Sequence, residues 1–527
     1  MIKKTQLITL ILFTLTLMSF ISGDKKPKEN PYIIATLDSK KLDVNNISTW
    51  FRNDGSFNRN PNGNAGFEWP KNSLKYARYV SGIWLGAKVG NDTLITHAFY
   101  DSQYLPGYID NNGMPMGRDD PLYRIYKIER GDTLSPDYLN WPVSQGAYTN
   151  SIGKPFLLGT QTMFYAFTDG YKDHHVVSPG NTAPLKAQIL QTNWAYSNVN
   201  LRDVIFTEFR IINRSNVNWD NAYFGFWTDD DLGYFGDDAI AIDTVRNLTY
   251  TYNYSNYDPA YGSAPPCVGI LLLRSPVKFT NDINDSVKYF QPPGSSNQII
   301  KARSKFTGLT VFNDSRNKFE KPRNYIEAYR FFEGKKADNT PWINPVTNLP
   351  TVKVYSGDPV TGTGWNMSGG SERRTLTSFG NITVLPNDTQ SVIIAQVIAR
   401  GTSNLNSITK LRDLSDHVQS VYDNNFQNVL SINTHYNELT DGFKLRQNFP
   451  NPFNPNTVIS YELPFTGFAK LSVYDILGNE VAELVNDKQN AGSYEVKFNG
   501  ENIASGVYFY KLTAGKFSET KRMILIK

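Results

Sequence analysis

Cysteine is almost absent from this chain. Its 527 residues include Cys267 alone, so no disulfide can form within it, and the fold has to stand on core size or bound ions. Charge of one sign is scarce too. With 53 Lys and Arg against 49 Asp and Glu, the net charge of +4 is too small to single out nucleic acid as a partner. Beyond the N-terminus, no apolar run approaches the roughly 18 consecutive residues that span a bilayer. Sustained helical periodicity is rare, and 31 Tyr with 31 Phe favour antiparallel β-structure.

Catalytic signatures are equally thin. The five histidines, His97, His174, His175, His417 and His435, never fall into HExxH spacing. There is no GxSxG elbow, and GTGWNMSGGSER lacks the Lys-Ser/Thr of a phosphate loop, so its glycines read as turns. Cys267, preceded by Pro265 and Pro266, reads as a small buried residue. Glycoside hydrolysis is not excluded on this basis, because its two carboxylates come from distant parts of a chain and leave no local motif.

What is present starts with MIKK, the apolar run Leu7 to Ile21 and the small residues Ser22 and Gly23, the pattern of a secretory signal over residues 1–23. The rest is too long for one ordinary core. The expected organisation is an N-terminal β-rich region at 30–180 and a β-sandwich domain at 181–430, divided near the Pro- and Gly-rich SPGNTAPLK. A linker at 431–447 and a small sandwich at 448–527 follow. One late amphipathic helix, about 405–425, carries Ile408, Leu411, Leu414, Val418 and Val421 at helical spacing and closes the body against the strand SVIIAQVIAR. The fold class expected is therefore mainly β.

The C-terminal part opens on NFPNPFNPN, where Pro450, Pro452 and Pro455 force extended backbone and suggest a stiff hinge. Short alternating runs separated by turn formers follow and predict about seven strands, an immunoglobulin-like sandwich. The series NFPNPFNPNTVISYEL, LSVYDILGNEVAEL, AGSYEVKFNG, ASGVYFYKL and KRMILIK resembles the type A C-terminal sorting domain of the type IX secretion system over residues 445–527. It is also similar to the immunoglobulin-like domain of flagellar hook-capping proteins. The first resemblance implies inner-membrane export and recognition by the type IX machinery. Removal of the domain then leaves the cargo released or joined to surface lipopolysaccharide, outside the cell. In the body, SGIWLGAKV, LQTNWAYSNVNLRDVIFTEFRIINRS, FWTDDDLGYFGDD, YSGDPVTGTGW and AQVIARGTSNLNSI resemble uncharacterised secreted proteins that carry the same domain, which implies no catalytic residues. Asp-Ser/Thr-apolar triplets at 92–94, 132–134, 243–245 and 285–287 resemble the O-glycosylation motif of bacteria using this route.

The densest acidic stretch is TDDDLGYFGDDAIAID. Crowded carboxylates repel unless a cation compensates, and calcium takes oxygen ligands from flexible Gly-containing loops such as the one around Gly233 and Gly236. Asp229, Asp231, Asp237 and Asp238 are the expected calcium ligands. Asp243, about 20 Å from Asp237 along a strand, is set aside. The nine tryptophans are expected mainly in the core, with sugar-stacking platforms as the alternative. The function expected is a non-catalytic structural, adhesive or binding component without a membrane span. The alternative is an extracellular carbohydrate-active protein, hydrolase or binding module.

Overall fold

The computed structural model describes residues 37–177, 179–315, 322–427, 429, 444–463, 467–489, 492–515 and 517–527. The expected signal at 1–23 and most of the expected linker lie outside them. The described chain is mainly β, and none of its helices is long and apolar enough to cross a membrane.

Two large antiparallel sheets build the body. One runs Ser39–Leu42, Thr49–Arg52, Ser56–Phe57, Val80–Val89, Trp219–Asp230, Arg373–Val384, Val311–Asp314. The other runs Tyr126–Glu129, Gln161–Thr168, Ala187–Ala195, Val204–Asn213, Thr389–Ala399, Cys267–Arg274, Leu248–Asn253, Asp238–Asp243. Their inner faces share one apolar core, in which Phe209 of the second sheet meets Phe226 (5.1 Å) and Phe57 (6.5 Å) of the first. Outer faces are covered as well, so strands such as Gln161–Thr168 and Val204–Asn213 are buried along their whole length. A sheet covered on both faces loses the alternation that marks a half-exposed one.

Helix Asn404–Asp423 covers the second sheet, with Ile408, Leu411, Leu414, Val418 and Val421 buried against Thr389–Ala399 and Cys267–Arg274. Ser403 caps it by accepting from the Asn406 amide. A second helix, Tyr325–Phe332, was not expected. It is short, capped by Asn324, and packs Ala328, Phe331 and Phe332 with Trp84 and Trp227 on the first sheet's outer face.

Residue 180 does not divide the body. The segment around it links Gln161–Thr168 to Ala187–Ala195, which pair directly from Gln161↔Ala195 to Thr168↔Gln188, and a single core runs from Leu42 to Val429. Pro and Gly mark a long connection here rather than a domain boundary.

The C-terminal part has two antiparallel sheets. Lys444–Leu445, Asn456–Leu463 and Gly492–Asn499 form one, and Glu480–Gln489, Gly467–Tyr474, Gly506–Ala514 and Phe517–Leu525 the other. Ile459, Tyr461, Leu471, Tyr510 and Met523 meet in its core. The proline-rich opening belongs to this core instead of acting as a free hinge. Asn448 and Phe453 are buried, the Tyr510 hydroxyl donates to the Arg446 carbonyl at 2.7 Å, and the same hydroxyl accepts from the Asn448 amide at 2.8 Å.

Candidate functional site

The acidic stretch lies at one end of the body. Strand Trp219–Asp230 extends through Asp230, further than the sequence suggests, and this decides where the carboxylates go. Successive strand residues face opposite sides of a sheet, so Asp229 and Asp230 point apart. Opposite them on the neighbouring strand stand Arg374 and Arg373, in the register Asp229↔Arg374 and Asp230↔Arg373. Asp229 takes the Tyr100 hydroxyl in a short hydrogen bond and has Arg374 Nε at 3.4 Å. On the inner side, Asp230 has Arg78 Nη1 at 3.1 Å and accepts from the Thr251 hydroxyl at 2.8 Å. Arg373 is itself bound to Asp314 at 2.6 Å.

Beyond the strand, the loop is a frame of side-chain-to-backbone bonds. Asp238, fully buried, accepts from the Leu232 amide at 3.1 Å, while Asp237 accepts from the Asn253 side-chain amide at 2.7 Å. Asp258 accepts from the amides of Tyr234 (2.8 Å), Ala260 (2.8 Å) and Tyr261 (2.5 Å). Gly233, at φ +77°, comes so close to Asp258 that a Cβ there would sit 2.2 Å from its Oδ1. Gly370 allows a similar approach, since a Cβ would lie 2.4 Å from the Asp237 carbonyl oxygen.

Among the described residues no three His, Cys, Asp or Glu side chains come together in a way that could hold a metal ion. Asp229, Asp231, Asp237 and Asp238 therefore do not fit the single calcium site expected of them. Asp229 is taken up by Tyr100 and Arg374, Asp237 by the Asn253 side-chain amide and Asp238 by the Leu232 amide, while Asp231 has no described donor. The compensating charge is Arg78 and Arg374, distant in sequence and invisible to a local reading. Where compensation is incomplete, protonation replaces it. Burial pushes Asp229 up to about 6, against the pull of Arg374. Asp231 rises to about 7, chiefly by burial and then by repulsion from Asp229, Glu372 and Asp230. Burial raises Asp230 and Asp237, and carries Asp238 well above the usual carboxylate range. A buried carboxyl kept neutral needs no cation.

Outside this frame lies a feature the sequence reading missed. Tyr234, Phe235, Tyr254 and Tyr257 are 48%, 47%, 50% and 60% exposed. They share one loop cluster: the Tyr254 amide donates to the Asp237 carbonyl at 2.8 Å, and the Tyr234 and Phe235 rings stand 5.0 Å apart. Asn404, at the start of the long helix, donates to the carbonyls of Asn253 (2.9 Å) and Tyr254 (3.2 Å). Arg400 binds the carbonyls of Tyr261, Ser263 and Ala264. The rings thus stand on a braced base. Attention to tryptophan hid them: Trp69, Trp84, Trp141, Trp194, Trp219, Trp227 and Trp342 are buried, and Trp50 and Trp365 are partly so. Runs such as NYSNYDP, tyrosines set among turn formers, were the available signal.

The remaining sites are quieter. His97 packs on Trp84 at 5.2 Å, and burial lowers it to about 3. His175, lowered to about 4 by burial, has Nε2 2.8 Å from the Asp169 carbonyl oxygen. His174 is also lowered by burial, and His435 lies outside the described residues. Cys267 is buried as expected, with its thiol raised well above the ordinary range by burial. An open cavity of about 690 Å³ lies elsewhere, lined by Met114, Met116, Arg118, Tyr171, Lys172 and Lys186 among others. It holds none of the predicted residues. Asp119, Asp120 and Asp173 balance its cations, so it selects no ligand charge.

Residues 447–527 match the family model described as the secretion system C-terminal sorting domain. No curated protein matches the chain. Among solved structures, a polysaccharide lyase aligns with 87% of this chain at 7% identity and a TM-score of 0.24, and the alignment spans 41% of the lyase. A second chain, PorZ, titled an essential bacterial surface component of the type-IX secretion system of Porphyromonas gingivalis, aligns over 93% of this chain and 75% of its own at 10% identity and a TM-score of 0.13. At TM-scores this low neither is a guide to fold or function. The sorting domain makes the chain a cargo of type IX secretion, delivered to the cell surface or the extracellular space.

Proposed function

We propose that the exported chain is a non-catalytic binding or adhesive component that engages its ligand with the loop end of its body. Residues 1–23 direct passage across the inner membrane, and removal of the sorting domain leaves the body released or joined to surface lipopolysaccharide. The observation that carries the binding role is the group of half-exposed rings Tyr234, Phe235, Tyr254 and Tyr257 on loops braced from below. Exposed rings cost solvation, and adjoining ones on a rigid base suit recognition with little ordering on binding. Asp229, Asp230, Asp238 and Asp258 nearby are buried and engaged, which supports a framework role.

A carbohydrate hydrolase is the second reading. It is favoured by Asp231, a carboxyl held near neutrality in the same loop, as a general acid requires. The test applies labelled, purified protein to bacterial cells, cell-wall fragments and plant polysaccharides and measures retained protein and released reducing sugar together. Retention without release is the expected result. Release that disappears in Asp231→Asn establishes the second reading, and absence of both refutes the two together.

A further inference from the structure

We infer that the aromatic loop end recognises a neutral, hexose-based polysaccharide; this rests on the binding role proposed above. Four properties of the surface point to that class. First, the rings are half exposed and belong to two segments joined by the Tyr254 amide–Asp237 carbonyl bond, Tyr234 and Phe235 on one and Tyr254 and Tyr257 on the other, so the surface offers a linear ligand more than one ring. Second, no described donor or acceptor engages the hydroxyls of Tyr234, Tyr254 or Tyr257, which leaves apolar ring faces edged by free hydrogen-bonding groups. A pyranose has the complementary make-up, with C–H faces for stacking and a rim of hydroxyls.

Third, the nearby cations are already engaged: Arg400 with the carbonyls of Tyr261, Ser263 and Ala264, and Lys75 over the Tyr261 ring at 5.8 Å. Residues 231–238 and 253–264 contain neither Lys nor Arg, and none of the four rings has a cation over its face. Arg78 and Arg374 are committed to Asp230 and Asp229. Sulfated or uronate chains, phosphate groups and acidic peptides would find no cation over these rings to pair with. Fourth, the bracing by Asn404, Arg400 and Asp258 holds the turns in one arrangement, so little conformational freedom is lost when a stiff ligand docks.

The test is affinity electrophoresis of the full secreted chain through gels containing neutral β-glucan, neutral xyloglucan or polygalacturonate, with adsorption to matrix-protein-coated beads as a parallel arm. Retardation by a neutral glucan and not by polygalacturonate is expected. Loss of one stacking ring in Tyr254→Ala or Tyr257→Ala should weaken that retardation by about threefold to tenfold, and the double variant by more. Tyr257→Phe, which keeps the ring, should stay within about threefold of wild type. Unchanged thermal melting of these exposed-site variants shows that loss of binding is not loss of fold. Binding to polygalacturonate alone, or full binding by the folded double variant, overturns the assignment. Adsorption to protein-coated beads with no glycan retardation overturns the glycan inference and leaves the binding role standing. No adsorption anywhere overturns both.

Discussion

Replacing Asp231 by Asn should stabilise the protein, and by an amount that depends on pH. The Asp231 side chain has no described hydrogen-bond donor to keep it ionised, while Asp229, Glu372 and Asp230 repel its charge and Arg374 offsets them only in part. In the folded chain it holds its proton up to about 7, against an ordinary value of 3.8. Below about pH 4 the group is protonated folded and unfolded alike, and its contribution to stability is fully present. As pH rises toward 7 the unfolded chain gives up the proton and the folded chain resists, so stability is lost across that window. At about 1.36 kcal/mol per pKa unit the ceiling is about 4 kcal/mol, and partial solvent screening reduces it to about 2 kcal/mol. Asparagine has nearly the same shape and no charge to suppress. Urea unfolding of wild type and Asp231→Asn should give nearly equal stabilities at pH 4 and a variant about 2 kcal/mol more stable at pH 8. A difference independent of pH, or a variant weaker at pH 8, would refute the account of a carboxyl held neutral by burial. Repeating the series with millimolar calcium adds a second check, since an ion bound by Asp231 would reverse the sign of the effect at pH 8.

Three further outcomes are expected. Arg78→Ala, which strands Asp230 without its buried cation, should cost about 3–5 kcal/mol in urea unfolding at pH 7. Leu411→Ala, opening a cavity between the long helix and its sheet, should cost about 2–5 kcal/mol, and a loss under 1 kcal/mol would mean that the helix covers the sheet only loosely. A chain lacking residues 447–527 should accumulate in the periplasm, as fractionation and surface proteolysis would show; undiminished surface delivery would contradict the role of the sorting domain.

Local pattern was a good guide wherever one element explains its own residues. SVIIAQVIAR is a strand, and the stripe from Ile408 to Val421 is the buried face of the expected helix. Polarity hides others, among them two long strands of the body: Ala187–Ala195 carries Gln188, Gln191, Thr192 and Asn193, and Arg373–Val384 begins on paired arginines. Gln188, Gln191, Thr192 and Asn193 are buried, and Asn193 accepts from Gln191 on its own strand and from Thr207 on the neighbouring one. The acidic end was misread for a related reason. Proximity in sequence made Asp229, Asp231, Asp237 and Asp238 look like one site, whereas partners on other strands, Tyr100, Arg374 and Asn253, hold two of them, and none of these is visible in a window of fifteen residues.

Strand Thr389–Ala399 lies in the interior of the second large sheet, between Val204–Asn213 and Cys267–Arg274. During synthesis or passage through a pore, those two neighbours emerge long before the strand that joins them, each with an unpaired edge of the kind that recruits foreign strands. The covering helix arrives later still. Closure of the body is therefore a late, non-local event of the slow kind, and partial chains that end before residue 389 should be sticky rather than merely less stable. The order of the chain thus sets when the protein becomes safe to be free in solution: only after nearly all of the body has emerged, just ahead of the segment that directs its delivery.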